Sequence, residues 1–149
     1  MDQLLNGYRR FRRDRWPERR QLHETLADQG QQPRALVVSC ADSRVDPAAI
    51  FDAAPGELFV VRNVANLIPP FAPDGAWHGT SAALEFAVRI LEVPDIIVMG
   101  HGLCGGVRGL ARTGEADEPR RDELREQLEA IQGRAGAAVT RVEAVKPKP

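Results

Sequence analysis

Residues 35–47 read ALVVSCADSRVDP, and this stretch decides how the rest of the chain is interpreted. Its first six residues are mostly apolar and β-branched, which is typical of a strand that is buried on both faces. A thiol, a carboxylate and a guanidinium follow at once, on Cys40, Asp42 and Arg44. Charged groups at the end of a buried strand need partners. The stretch therefore predicts a core strand whose carboxyl end carries a functional site.

Two further apolar runs and one helical pattern indicate the fold class. ELFVVRN (57–63) and DIIVMGH (95–101) are predicted strands, and GTSAALEFAVRILEV (79–93) between them is a predicted helix. The order strand, connection, strand, helix, strand predicts an α/β fold with a parallel, Rossmann-like sheet. The apolar positions of the helix that we expect to face the core are Ala82, Phe86, Ile90 and Val93.

The two ends of the chain differ in character from this core. The N-terminal segment has apolar positions at helical spacing, and Pro17 is expected to divide it into two helices. The C-terminal segment begins with a charged helical pattern, contains AAVTRVEAV (137–145) as a candidate edge strand, and ends in KPKP, which predicts disorder. We expect a single domain, 1–149, with a helical arm (1–30), an α/β core (31–112) and an atypical helical and partly disordered tail (113–149).

Composition limits the classes of partner. The chain has 149 residues, 43% of them hydrophobic, and a net charge of −1, so no overall field attracts nucleic acid or an anionic membrane. Asp14 and Glu18 interrupt the arginines of the arm, which favours a solvated helix face over an RNA- or lipid-binding tail. No apolar run approaches the ~18 residues of a membrane span, and no signal-peptide pattern is present. We expect a cytoplasmic protein that binds neither nucleic acid nor membrane.

The only two cysteines and one histidine predict a metal site. Cys40 ends the first strand, His101 ends the third, and Cys104 follows in HGLC. Ligands gather at the carboxyl ends of parallel strands, and two thiolates with an imidazole are a good ligand set for zinc. Each pair alone is weak, because a buried cysteine is usually a small apolar residue. Asp42 is within reach of the same ion, either as a fourth ligand or beside an open position.

Arg44 favours the open position. An arginine next to a carboxylate can hold it through two charge-assisted hydrogen bonds, which would keep Asp42 ionised and turned away from the metal. Asp42 could then accept a hydrogen bond from a zinc-bound water or hydroxide. The alternative is a structural ion pair that caps a helix beginning near Pro47.

Four motifs in this order, CADSRVDP, PGELFVVRNVANLIPP, GTSAALEFAV and IIVMGHGLCGGV, resemble the β-class carbonic anhydrases over about residues 31–110. The resemblance implies a lyase that hydrates carbon dioxide reversibly to bicarbonate and a proton by zinc-bound hydroxide, with one Zn2+ per chain. It implies that Cys40, His101 and Cys104 are the zinc ligands and that Asp42 and Arg44 form the family's aspartate–arginine dyad.

The same resemblance implies the substrate pocket and the assembly. The pocket positions are a glutamine that hydrogen-bonds substrate, an apolar wall for carbon dioxide, and glycines around the second cysteine: Gln31; Phe59, Val64 and Phe86; Gly102 and Gly105. Family members are dimers or multiples of dimers whose N-terminal arms embrace the partner. No residues after Leu110 resemble the family's further strand or its histidine–glycine–tryptophan signature, so we expect an altered or shortened C-terminal part.

Three alternatives to the hydration of carbon dioxide stay open. One is a non-catalytic zinc- or bicarbonate-binding module in which Asp42 ligates zinc permanently. Another is an enzyme for a related linear substrate, such as carbon disulfide or carbonyl sulfide. A nucleotide-binding domain is the weakest alternative, because SCADSRVDP has no glycine-rich loop after the first strand.

Overall fold

The structure is a computed structural model that describes residues 1–70, 78–113 and 141–145. The chain forms two compact units, Met1–Gln31 and Gln32–Pro149. The charged helical pattern and the KPKP segment of the predicted tail lie outside the described residues.

The first unit is a helical arm. Helix α1 (Asp2–Arg10) continues through a π-helical turn (Phe11–Arg15) into helix α2 (Trp16–Gln29). The two predicted helices are present, and Pro17 lies in the first turn of α2, where its missing N–H is not needed. The wider π-helical turn in front of it keeps the backbone helical.

The second unit is a parallel α/β sheet, as the order of the motifs predicts. Its four described strands lie in the order β2-β1-β3-β4, and every neighbouring pair is parallel. In chain order its elements are β1 (Ala35–Cys40), α3 (Pro47–Ile50), β2 (Leu58–Asn63), a 3-10 turn (Val64–Asn66), α4 (Gly79–Arg89), β3 (Asp95–Met99), α5 (Gly105–Thr113) and β4 (Arg141–Val145).

Strand β1 lies inside the sheet and determines where a site can form. All six of its residues are buried, and it pairs with β2 on one side and β3 on the other. The chain leaves β1 in one direction to form β2 and then crosses back to form β3. The strand order therefore reverses between the carboxyl ends of β1 and β3, which is where open α/β sheets bind their ligands.

Strand β4 confirms the predicted edge strand and corrects one expectation. It pairs in parallel with β3 and lies at the edge of the described sheet. A further strand does therefore follow Leu110, although the motifs gave no resemblance there. Its short, alternating RVEAV pattern is too brief to distinguish it from a loop without its neighbour.

Helix α4 exposes most of the face that the sequence predicts to be buried. Phe86 is 43% exposed and Ile90 is 66% exposed, so that part of the prediction is wrong. Val93, just after the helix, is buried as expected. The periodicity misleads because AALEFAV is apolar on both faces. The residues that α4 packs against one side of the sheet are Leu84, Ala87 and Val88.

Candidate metal centre

The three predicted ligands converge at the point where the strand order reverses. Cys40 is the last residue of β1, His101 lies two residues after β3, and Cys104 directly precedes α5. Their ligand atoms all lie within 4.8 Å of one another, and the two sulfur atoms are 3.7 Å apart. A sequence separation of more than sixty residues is thus closed by the pairing of two neighbouring strands.

The geometry and the hydrogen bonds of this cluster fit a tetrahedral zinc ion. Two sulfurs each about 2.3 Å from zinc would be about 3.8 Å apart in a tetrahedron, close to the observed sulfur separation of 3.7 Å. His101 Nδ1 lies 3.1 Å from the Gly102 carbonyl oxygen, an acceptor that selects the Nδ1–H tautomer. Its Nε2 is buried, and in the described part of the chain it has no hydrogen-bond partner. An unpaired, buried imidazole nitrogen beside two thiols is the donor set that zinc prefers.

The surroundings of Cys40 favour the thiolate that a metal needs. Burial raises the pKa of the Cys40 thiol, but hydrogen bonds outweigh it and lower that pKa to about 7. The strongest comes from the main-chain N–H of Asp42, 3.5 Å from the sulfur, and a further one comes from the main chain of Ala65. A cysteine with a depressed pKa binds metal with less competition from protons.

The Asp42 carboxylate is paired with Arg44 as predicted. Arg44 donates from Nε to Oδ1 at 2.9 Å and from Nη2 to Oδ2 at 2.8 Å, and its main-chain N–H donates to Oδ1 at 2.9 Å. These bonds hold the pKa of Asp42 well below its usual range. Asp42 Oδ2 is 3.9 Å from His101 Nε2, so the carboxylate stands beside the ligand cluster. The helix cap is a different residue: Asp46 accepts from the Ala49 N–H and begins α3.

A tight 3-10 turn after β2 packs against the start of α5. Ala65 in this turn is fully buried and has a φ of 66°, a backbone conformation that is strained for a residue with a side chain. A Cβ on Gly106 would come within 2.9 Å of Ala65 Cβ and 3.0 Å of Ala65 N. The close approach therefore belongs to Gly106, while a Cβ on Gly102 or Gly105 would meet nothing within 4 Å.

The predicted pocket residues are placed unequally. The rings of Phe59 and Phe86 contact each other with centroids 5.8 Å apart, so the structure brings these two together. Val64 begins the 3-10 turn and is 66% exposed. Gln31 is an exposed residue at the end of the first unit.

Two further residues that hold the site have no counterpart among the predicted ones. Arg62 and Asn63 end β2, directly beside the end of β1. The Asn63 side chain accepts from the Leu67 N–H at 2.6 Å and donates to the Leu67 carbonyl oxygen at 2.7 Å, which closes the 3-10 turn. Arg62 donates to the loop that follows Cys40. The sequence could have indicated both residues, because a charged and an amide side chain at the end of an apolar strand need hydrogen-bond partners.

Fold and site together define an α/β protein with a Cys–His–Cys metal-binding arrangement. The family model described as "Carbonic anhydrase" matches residues 35–147. A carbonic anhydrase of Synechococcus elongatus is 42% identical over 79% of this chain and 42% of its own length, and one of Pseudomonas aeruginosa is 44% identical over 74% of this chain and 49% of its own. The solved β-carbonic anhydrase CcaA has a TM-score of 0.69 and 38% identity over 89% of this chain and 59% of its own.

The chain belongs to the β-class carbonic anhydrase family. The match extends well past Leu110, where the resemblance of the motifs ended, and includes β4. The chain spans about half the length of the curated relatives that it matches, or somewhat less. In the described residues no helix is long and apolar enough to cross a membrane.

Proposed function

We propose that this protein binds one Zn2+ through Cys40, His101 and Cys104 and catalyses the reversible hydration of carbon dioxide to bicarbonate and a proton. The observation that carries the proposal is the buried, unpaired His101 Nε2 beside two thiols within 4.8 Å, in the described part of a chain of this family. A zinc ion held by these three residues would supply a bound water of lowered pKa as the nucleophile. The reduced thiols that the site needs fit a cytoplasmic location.

The chain's own residues orient the reaction. Arg44 keeps the Asp42 carboxylate ionised and aimed beside the ligand cluster, where it accepts a hydrogen bond from the nucleophile. Because Arg44 binds both of its oxygens, the Asp42 carboxylate would be held beside a bound zinc ion as a hydrogen-bond acceptor and would not serve as its fourth ligand. The contacting rings of Phe59 and Phe86 provide the apolar wall for carbon dioxide, a substrate with no charge to pair.

The remaining pocket residues bind and admit the substrate. Val64 extends the apolar wall at the turn after β2, and the hydrogen bond that the resemblance implies from Gln31 to a substrate oxygen stays a prediction. Gly102 and Gly105 leave open space around the ligand cluster, since a Cβ on either meets no neighbour.

We also propose that the protein is a homodimer or a multiple of dimers. Several large apolar side chains are exposed on both units, and a partner subunit could bury them. They include Leu4, Tyr8, Val64, Phe86 and Ile90. Light scattering on the full chain measures the assembly directly, and a stable monomer with full activity would contradict it.

The test of the activity is stopped-flow hydration of carbon dioxide by the zinc-loaded protein, compared with Arg44→Ala. Loss of the guanidinium frees Asp42, so the rate should fall about 10- to 100-fold while zinc content stays near one per chain. Arg34→Ala is the matched control, because it removes an exposed arginine–glutamate pair at the other end of the strands. Its rate should not change.

A zinc-loaded wild-type protein without catalysis above the uncatalysed rate would reject the activity. In that case retained bicarbonate binding would indicate a non-catalytic module. Turnover of carbon disulfide or carbonyl sulfide alone would indicate a different linear substrate.

A further inference from the structure

Arg62 joins strand β2 to the loop that carries the candidate site. Its Nε donates to the Cys40 carbonyl oxygen at 3.0 Å, and its Nη2 donates to the Asp42 carbonyl oxygen at 2.7 Å. Its Nη1 donates to Asp46 Oδ2 at 3.2 Å. One planar guanidinium thus contacts the loop at its beginning, in its middle and at its end. The side chain is only 28% exposed, so these bonds are partly shielded from water.

These contacts occupy main-chain acceptors that the sheet does not use. After β1 ends at Cys40, the chain turns away from the strands, and the carbonyl groups of Cys40 and Asp42 are no longer paired in the sheet. The Asp42 carbonyl oxygen accepts one hydrogen bond from the Val45 N–H of the same loop, at 3.1 Å, and Arg62 supplies the contact that joins it to β2. Arginine is suited to this because its donors form a rigid fork that binds several acceptors in one orientation. A main-chain hydrogen bond also joins this loop to β2: the Ala41 N–H donates to the Asn63 carbonyl oxygen at 2.8 Å.

We propose that Arg62 is a positioning residue for the aspartate–arginine pair. Arg44 determines where the Asp42 carboxylate points, and Arg62 ties the Asp42 main chain, which the Val45 N–H also contacts, to the end of β2. The carboxylate is 3.9 Å from His101 Nε2, so a small movement of its main chain changes whether it stands beside the metal position or enters it. The inference rests on the proposed function, because the pair has this role only in a metal-dependent hydration.

The variant Arg62→Gln removes the fork and retains a polar side chain. We expect kcat to fall about 10- to 100-fold while KM changes little and zinc content stays near one per chain. Losses of this size are typical when a residue that orients the groups around a metal site is replaced. The matched control is Asp46→Asn. It removes the ion pair with Arg62, keeps an oxygen that caps α3, and leaves both carbonyl contacts in place. Its kcat should stay within about twofold of wild type.

Replacing zinc by cobalt gives a readout that does not depend on turnover. The visible absorption of bound Co2+ responds to what occupies its coordination positions, so Arg62→Gln should change this spectrum and Asp46→Asn should not. The double variant with Arg44→Ala should have about the same kcat as Arg44→Ala alone, since both residues act through Asp42. A purely structural role would instead lower kcat further in the double variant.

Wild-type kcat and a wild-type cobalt spectrum in Arg62→Gln would overturn the inference, as would an equal loss in Asp46→Asn. If Arg62→Gln does not accumulate as folded protein, Arg62→Lys is measured instead. A lysine retains the positive charge but makes fewer of the contacts, so we expect a several-fold lower kcat and a changed cobalt spectrum. No change in either quantity would overturn the inference. A wild-type protein that binds cobalt but does not hydrate carbon dioxide would reject the proposed function, while a spectral change in the variant would still support the positioning of Asp42.

Discussion

Replacing Gly106 by alanine tests whether the 3-10 turn and α5 must touch. The added Cβ would lie 2.7 Å from Val64 Cγ1, 2.9 Å from Ala65 Cβ and 3.0 Å from Ala65 N. The exposed Val64 side chain can rotate away, but Ala65 is fully buried and its backbone is already strained. Such overpacking costs about 1–3 kcal/mol. Alanine gains at most about 1 kcal/mol over glycine in a helix, and less in the first turn, so the variant should be destabilised by about 1–2 kcal/mol.

Thermal and urea unfolding of the metal-free and zinc-loaded protein measure this difference. In a chain of this size the melting temperature should fall by about 2–4 °C for each kcal/mol. Zinc affinity, measured by competition with a chelator, should fall about tenfold, because the Ala65 main chain is one of the donors to Cys40. Gly109→Ala is the matched control, since a Cβ there meets nothing within 4 Å and the same helix gains a better helix former. A Gly106→Ala protein as stable as Gly109→Ala would refute the close approach.

Three further predictions concern the ligands and their charges. Cys104→Ser should lose most of its bound zinc in metal analysis, and full occupancy would remove Cys104 from the ligand set. Asp42→Asn should be less stable than wild type at neutral pH, because the folded-state pKa of Asp42 is depressed. This difference in unfolding free energy should shrink in denaturant titrations as the pH falls below about 4, where Asp42 takes up a proton in the unfolded state but stays ionised in the folded state. In the metal-free protein, alkylation of Cys40 followed by peptide mapping should rise with pH around a midpoint of about 7; a midpoint at or above the ordinary thiol value of about 8.5 would contradict the hydrogen bonds assigned to its sulfur.

The parallel sheet could be predicted because its strands carry strong and separate signals. ALVVSC is fully buried in β1, and ELFVVRN and DIIVMGH contain β2 and β3. The face of α4 could not be predicted, because Phe86 and Leu84 are both apolar and lie on different sides of the helix. Pro17 correctly indicated the start of a second helix, but the π-helical turn that joins it to the first has no sequence signal of its own.

The candidate site could be predicted as far as its chemistry is carried by rare residue types. Two cysteines and a histidine at strand ends are few enough for their positions in the sequence alone to place them together. Arg62 is one of many arginines in this sequence, so its type gave no indication. Its role depends on which carbonyl groups lie next to the end of β2, and that is a property of strand register. The close approach at Gly106 likewise depends on the packing of α5 against the turn.

The misleading pattern of α4 has a physical cause that bears on the assembly. A helix that is apolar on both faces can bury one face against its own chain, while the second face stays exposed to water. That exposure is unfavourable, so the second face is suited to contact a partner. Phe86 lies on the second face, yet its ring also contacts Phe59 of β2, which packs against the core. The proposed wall for carbon dioxide and the proposed dimer surface therefore share a residue. If the proposed dimer forms, separation of its subunits would change that wall even though all three proposed zinc ligands belong to one chain.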